Sequence, residues 1–173
     1  EKRDLSWGEN HGLESPVSCA VIKDNSILMV SSHHTKGKWV LPKGGWESDE
    51  TALEAAKRET FEEAGVINTF VLSFVVEGDI GESISTVTYQ NKLKKPVLWT
   101  LYPMECTKIY DWWPESENRS RKWVKEEELE SLFIDPLSKV HIPHILAYMH
   151  SRSWLCLLQT GEYHSSSSSF LYT

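Results

Sequence analysis

The chain has 173 residues, of which 40% are hydrophobic and 25% charged, a composition typical of one compact domain with a sizeable core. Its 25 acidic residues outnumber its 18 basic residues, and the net charge of -7 argues against a stable nucleic-acid partner. No apolar run is long enough to span a bilayer, and the first residues lack the profile of a secretory signal. Three cysteines without metal-ligand or redox spacing indicate buried thiols in a reducing compartment. We therefore expect a cytoplasmic protein, with the nucleus as a second compartment.

The N-terminal part of the chain predicts a β-hairpin followed by a short strand. Residues 16–23 and 26–33 are β-rich runs, separated by Asp24 and Asn25, which suit a tight turn. A basic loop, HTKGK, then leads to the short strand KWVLP.

A helix is predicted after the glycine pair Gly44 and Gly45. Apolar residues recur at helical spacing from about Asp49, the expected N-cap, and Gly65 provides the stop. The run TFVLSFVVE, residues 69–77, returns to strand.

The second half of the chain predicts further strands and a closing helix. Residues 78–95 are polar and predict a strand at the edge of the sheet together with an exposed loop, whereas residues 96–106 form a clear strand. The segment RKWVK predicts a short strand and EEELESLF a short helix, and a longer helix is expected from about Leu137 to Leu158. These elements predict a mixed β-sheet between helices. We expect an N-terminal extension at residues 1–15, one domain at 16–158 and a flexible, Ser-rich tail at 159–173.

Three glutamates of the first helix share one face. Positions i, i+3 and i+4 of an α-helix are neighbours, so Glu59, Glu62 and Glu63 project together, and Arg58 lies four residues before Glu62. A solvated acidic face is one explanation of this pattern. The other is a site for a hard divalent cation, because Mg²⁺ prefers carboxylate oxygens and its charge removes the repulsion between them.

The complete spacing of this segment favours the metal site. The fixed positions are Gly44, Glu50, Arg58, Glu59, Glu62, Glu63, Gly65 and the apolar Val66. This spacing resembles the Nudix box, and one position departs from it, since Thr60 stands where an aliphatic residue is usual.

The resemblance implies an α/β/α sandwich and the hydrolysis of a phosphoanhydride by water with Mg²⁺, which Mn²⁺ can replace. Glu59 and Glu63 match the family's metal ligands, beside Lys43 and Gly44, and Glu62 matches its candidate general base. Arg58 is expected to hold the carboxylates through ion pairs. The resemblance assigns Glu50 to a structural role or to the outer metal shell, while a carboxylate favoured by the helix macrodipole explains it equally well.

The segments around the box resemble the diphosphoinositol polyphosphate phosphohydrolase branch of the family, also called diadenosine polyphosphate hydrolases. The resemblance rests on VSSHHTKGKWVLPKGGWE, with its PKGG motif, and on NRSRKWV. It implies a small polyanionic substrate, an inositol pyrophosphate or a diadenosine polyphosphate, with inorganic polyphosphate as a further substrate. Such substrates require several cations around the metal. The residues expected to bind substrate are Ser32, His33, His34, Lys36, Lys38, Lys43, Gly44, Gly45, Lys94, Lys95, Arg119 and Arg121.

Two other functions are compatible with the sequence. A Nudix hydrolase that cleaves capped RNA or another nucleoside diphosphate derivative would have the same box. A module that only binds inositol polyphosphate or RNA would be expected to lack the box carboxylates, which are all present here. Trp112 and Trp113 suit either stacking on a base or closing a loop.

Overall fold

The computed structural model describes residues 15–47, 49–67 and 83–160, with side chains described as far as residue 152. Within these residues the chain forms two α-helices, nine β-strands and a short 3-10 helix. The strands are β1 (Val17–Lys23), β2 (Ser26–Ser31), β3 (Trp39–Val40), β4 (Lys43–Gly44), β5 (Val66–Ile67), β6 (Ser85–Gln90), β7 (Pro96–Glu105), β8 (Lys108–Ile109) and β9 (Arg121–Lys125). The helices are α1 (Ala52–Ala64) and α2 (Pro136–Thr160), and the 3-10 helix is Glu126–Glu128.

The predicted hairpin is present as β1 and β2. Asp24 and Asn25 both adopt positive φ, 48° and 55°, as the two central residues of a tight hairpin turn do. Val30 of β2 pairs with both Val40 and Arg121, so β3 and β9 lie on opposite edges of β2. Because β4 pairs with the first residues of β1, the segment from β3 to β4 occupies the open end of the hairpin.

The sheet is mixed, as predicted. β1 runs antiparallel to β2 and parallel to β7, with Val17 opposite Thr100. β6 pairs antiparallel with β7 along its whole length, which places the strand expected within residues 78–95 beside the strand predicted at 96–106. β5 and β8 form a separate pair next to the end of α1.

The two helices cover opposite faces of the sheet. One apolar cluster joins Ala20 and Leu101 of the sheet to Ile145 of α2. The other joins Cys19 of β1 to Ala56 and its neighbours on α1. Alternate residues of β1 thus enter different clusters, as the period of two along a strand requires. The result is the predicted α/β/α sandwich.

Two predicted helix boundaries are wrong. Thr51, not Asp49, caps α1, because its hydroxyl accepts the N–H of Glu54 while the Glu54 carboxylate accepts the N–H of Thr51. The helix predicted over EEELESLF is only the 3-10 helix, since Ser131 bonds back to the Glu128 carbonyl through both its N–H and its hydroxyl and closes a turn there.

The remaining predicted boundaries lie within two residues of those in the structure or fall outside the described residues. Gly65 ends α1 with φ 63°, in the left-handed region where glycine is favoured, and α2 extends the predicted C-terminal helix to Thr160. The strand predicted at residues 69–77 lies outside the described residues. So does the tail predicted at 159–173, except for residues 159–160, which form the end of α2. Neither α1 nor α2, the two α-helices within the described part, combines the length and the apolar character needed to cross a bilayer.

Candidate active site

Arg58 joins the carboxylates of α1 to the loop before the helix. Its guanidinium binds Glu50 through two hydrogen bonds of 2.7 and 3.1 Å, Glu59 at 2.8 Å and Glu62 at 3.4 Å. It also donates to the carbonyl of Gly45 at 2.9 Å. The Glu50 hydrogen bond is the main reason why the pKa of Arg58 is raised, and the same bond lowers the pKa of Glu50. The ion pairs expected of Arg58 are thus confirmed, and Glu50 belongs to the arginine network.

Glu59 lies against the backbone of Gly44. A Cβ atom built on Gly44 would stand 1.9 Å from the Glu59 Cδ and about as close to both carboxylate oxygens. The Glu59 side chain is 15% exposed, and burial raises its pKa against the opposing effect of Arg58. The glycine that opens the box is therefore required because the carboxylate fifteen residues later occupies the space of a side chain.

Glu63 is the most enclosed of the three glutamates, with 8% of its side chain exposed. The Lys43 backbone N–H donates to its Oε2 at 3.0 Å, and Arg119 Nη2 donates to its Oε1. Burial raises the pKa of Glu63 to about 7, although Arg119 and the Lys43 N–H act in the opposite direction. The positive charge already present therefore does not fully offset the cost of enclosing this carboxylate.

The donor chemistry of this face fits a hard divalent cation. Glu59, Glu62 and Glu63 offer only oxygen ligands, and the surrounding carboxylates outnumber Arg58 and Arg119. Within the described residues, no three acidic, histidine or cysteine side chains converge as a ready-made cage. Mg²⁺ does not require one, since it keeps several waters and takes one or two carboxylates from the protein.

Most of the predicted substrate cations lie at one end of the sheet. Lys43 of β4 pairs with Ser18 near the start of β1, and Lys94 and Lys95 occupy the turn immediately before β7, which runs parallel to β1. β2 runs in the opposite direction, so the loop that follows Ser31 emerges at this same end. We call this end of the sheet, with its loops, the catalytic end.

Four of the basic residues predicted to bind substrate contact groups of the protein itself. The His33 ring bonds to Glu115 at 3.0 Å, and Lys38 pairs with Asp135 at 3.4 Å. Arg121 donates to the carbonyl of Ala64 at 2.8 Å and covers the face of the Trp113 ring, with its Cζ 4.2 Å from the ring centre. The fourth, Arg119, binds Glu63 and Glu115.

The other predicted substrate-binding residues are placed differently. The Lys43 ammonium lies 5.1 Å from the centre of the Trp99 ring. Ser32 accepts the backbone N–H of His34 at 3.3 Å, within the loop that also carries the exposed Lys36. Gly45 contributes its carbonyl to Arg58. The substrate-binding role of all twelve residues remains a prediction.

Three features of the site escaped the sequence interpretation. Glu115 connects His33 and Arg119, and its backbone N–H donates to the carbonyl of Glu62 at 3.1 Å. The only feature of the sequence that pointed to Glu115 was its position four residues before Arg119. Trp112 and Trp113 are not equivalent, since 69% of Trp112 is exposed and only 8% of Trp113. Thr60 is fully buried and its hydroxyl donates to the Ala56 carbonyl at 2.7 Å, so the departure from the usual aliphatic residue leaves no unpaired group there.

A family model, the NUDIX domain, matches residues 13–145. The chain belongs to the Nudix family. The related proteins include Nudix hydrolase 21, chloroplastic, of Arabidopsis thaliana, 34% identical over 134 residues, which cover 73% of this chain and 63% of the relative. Nudix hydrolase 4 of the same plant is 36% identical, with coverage of 73% and 62%. Diphosphoinositol polyphosphate phosphohydrolase 2 of Mus musculus is 28% identical, with coverage of 69% and 63%. The match thus spans less than two thirds of each of these relatives.

Solved structures agree with the family fold. A Nudix-family hydrolase from Clostridium perfringens superposes with a TM-score of 0.60 at 21% identity, covering 79% of this chain and 97% of that one. The NUDIX domain of Shewanella oneidensis NrtR, in complex with ADP ribose, has a TM-score of 0.60 at 14% identity, covering 84% and 94%. At these identities the likeness establishes the Nudix fold alone.

Proposed function

We propose that the chain is a Mg²⁺-dependent pyrophosphohydrolase that cleaves phosphoanhydride bonds of diphosphoinositol polyphosphates and diadenosine polyphosphates. The observation that carries the proposal is the α1 carboxylate face, with Glu59 and Glu63 enclosed and each held by an arginine. A non-catalytic binding module would not need to maintain such a costly arrangement of like charges. Mn²⁺ is expected to replace Mg²⁺, since both take oxygen ligands.

Glu59 and Glu63 are the residues that would hold the metal, beside Lys43 and Gly44 of β4. When bound, the ion supplies charge stabilisation to the phosphoryl oxygens and acidifies water. Arg58 fixes Glu59, and the Lys43 N–H fixes one oxygen of Glu63. These contacts set the direction of the ligand oxygens before any ion arrives.

Glu62 is the group that would remove a proton. It is the most exposed glutamate of the three, at 40%, and its one ion pair with a described residue is a long one to Arg58 at 3.4 Å. In the proposed step, the water oxygen attacks a phosphorus and its proton passes to the Glu62 carboxylate. The bond from that phosphorus to the bridging oxygen breaks, and the electron pair leaves with the departing phosphate.

The proposed substrate is supported by the positive charge of four lysines and by the name of one relative. Lys36, Lys43, Lys94 and Lys95 at the catalytic end show no ion pair with an acidic side chain among the described residues, and they suit a ligand with many phosphates. The mouse relative carries the name diphosphoinositol polyphosphate phosphohydrolase. These cations are lysines, which bind phosphate as point charges.

A nucleoside diphosphate derivative is the second candidate substrate. His33, Lys38, Arg119 and Arg121 are engaged within the protein, which leaves fewer basic side chains for a dense polyanion. The Shewanella domain of similar fold is complexed with ADP ribose. A substrate with two phosphates requires fewer cations than an inositol pyrophosphate.

The test is a phosphate-release assay with Mg²⁺ on a diphosphoinositol pentakisphosphate, diadenosine hexaphosphate, ADP-ribose and capped RNA. A single cleavage of diadenosine hexaphosphate, ADP-ribose or capped RNA releases no inorganic phosphate, so the nucleotide products of these substrates are followed by chromatography, and Glu62→Gln serves as the inactive control. We expect the first two substrates to have the highest kcat/KM. Preference for ADP-ribose or the cap would replace the proposed substrate, and no turnover of any substrate with Mg²⁺ or Mn²⁺ would reject the enzyme class.

A further inference from the structure

Arg119 is held in place by three separate parts of the fold. Its Nη1 donates to the carbonyl of Ser31 at the end of β2, at 3.0 Å. Its Nε donates to Glu115 in the preceding loop, and its Nη2 donates to Glu63 on α1. Only 9% of the side chain is exposed. All three guanidinium nitrogens therefore have partners within the protein.

The loop that carries Arg119 is itself attached to β2. The Ser31 N–H donates to the Ser120 carbonyl at 2.8 Å, and the Ser120 N–H donates to the Ser31 hydroxyl at 2.9 Å. The Arg119 N–H closes a turn on the Glu115 carbonyl at 2.9 Å. The guanidinium thus approaches Glu63 from a backbone that the sheet already fixes.

Glu63 is consequently held at both of its oxygens. Arg119 binds Oε1, and the N–H of Lys43, a residue of the strand paired with β1, binds Oε2. A carboxylate has about four lone-pair sites, so these two donors leave others for an ion. The two donors determine which lone pairs those are and where they point.

Each guanidinium nitrogen of Arg119 already donates within the protein and only 9% of the side chain is exposed, so a substrate phosphate could take Arg119 as its main partner only by drawing it away from Glu63. That release would leave a buried carboxylate with only the Lys43 N–H as donor, and removing one partner of a buried ion pair is costly. Lys36, on the neighbouring loop, is exposed and shows no ion pair among the described residues, so it could bind a substrate phosphate without breaking such a pair. The contacts therefore separate Arg119 from the cations available to a substrate.

We propose that Arg119 is a positioning residue that orients Glu63 for the divalent metal, with Glu115 and the Ser31 carbonyl fixing Arg119 in turn. The inference rests on the proposed metal-dependent function of the α1 carboxylates. It changes the role predicted from the sequence, in which Arg119 contacts substrate phosphates.

The direction in which metal affinity changes distinguishes a positioning role of Arg119 from a simple effect of its charge. Arg119→Gln removes a positive charge beside the metal site, so electrostatics alone predicts tighter metal binding. Positioning predicts weaker binding, by about 10–100-fold, as is usual when the partner that orients a metal ligand is lost. Arg119→Lys keeps the charge but loses the three-way contact, and positioning predicts weaker binding here as well.

The experiment measures Mn²⁺ affinity of the substrate-free protein by isothermal titration calorimetry and electron paramagnetic resonance. Lys122→Gln is the control for losing one positive charge, since Lys122 pairs with Glu128 at 3.1 Å and forms no ion pair with an α1 carboxylate among the described residues. Thermal unfolding of every variant checks folding, and Arg119→Lys decides the question if Arg119→Gln does not fold.

Weaker Mn²⁺ binding in both Arg119 variants, with normal affinity in Lys122→Gln and an unchanged substrate KM at saturating metal, supports the inference. Unchanged or tighter Mn²⁺ binding with a raised KM overturns it and returns Arg119 to substrate binding. If the wild-type protein binds no Mn²⁺, the proposed function itself is wrong. This outcome differs from failure of the Arg119 inference because it is seen in the wild-type protein, without any substitution.

Discussion

Gly44→Ala is predicted to abolish most of the activity while leaving the fold intact. The new methyl group would stand 1.9 Å from the Glu59 Cδ. Carbon atoms in contact are separated by about 3.5 Å, so the carboxylate must move by roughly 1.6 Å. A displacement of about 1 Å at a catalytic group can cost on the order of a hundredfold in rate, and we expect at least that loss in kcat. The backbone of Gly44 is not in the left-handed region, so alanine adds little strain.

Gly45→Ala is the matched control, because a Cβ at Gly45 meets nothing within 4 Å. The assay compares kcat at saturating Mg²⁺ and substrate, which removes any effect of the two glycines on substrate affinity. Thermal unfolding is measured on both variants. If Gly44→Ala keeps wild-type kcat, or if Gly45→Ala loses as much, the proposed contact between Gly44 and Glu59 does not control the chemistry.

Two further predictions concern stability. Gly65→Ala places an L-residue at φ 63° and a methyl group 2.8 Å from the Trp113 Cβ and 3.0 Å from Arg121 Nη1. The free energy of unfolding in urea should therefore fall by at least about 1–2 kcal/mol. An unchanged unfolding midpoint would contradict this prediction. Burial, and then the nearby His144, lower the pKa of His141 to about 4. The unfolded chain binds this proton near pH 6.5, so the contribution of His141 to stability should fall by as much as about 3 kcal/mol as the pH drops from about 6.5 to 4. This contribution is the difference between the wild-type protein and His141→Gln, because the raised pKa of Glu63 acts in the opposite direction over part of this range. A His141→Gln protein with the same slope over this range would show that another group is responsible.

The fold could be predicted largely from local patterns. The hairpin turn, the α1 stop at Gly65 and the strands of the second half follow from turn chemistry and periodicity, which act over a few residues. The N-cap error at Asp49 arose because Asp49 and Thr51 are both good caps, and only the reciprocal bond to Glu54 selects Thr51.

The site was predictable in its carboxylates and less so in its cations. The spacing of Glu59, Glu62 and Glu63 reports one helix face, so it needs no tertiary information. Whether an arginine binds substrate or protein depends on which buried carboxylate the fold brings to it. Arg119 meets Glu63 across 56 positions of the chain, and no local pattern encodes that contact.

The most direct test of the central claim is the Mg²⁺-dependent turnover of an inositol pyrophosphate by wild-type, Glu62→Gln and Glu63→Gln proteins. We predict that Glu62→Gln lowers kcat by about 10²–10⁴-fold, the usual contribution of a general base, and that Glu63→Gln also weakens Mn²⁺ binding. Both variants keep the shape of the side chain, and thermal unfolding checks folding because Glu63→Gln removes the charge that faces the buried Arg119. A Glu63→Gln protein with near-wild-type turnover at limiting Mg²⁺ would contradict the account, because the α1 carboxylates would then not be where the phosphoanhydride is cleaved.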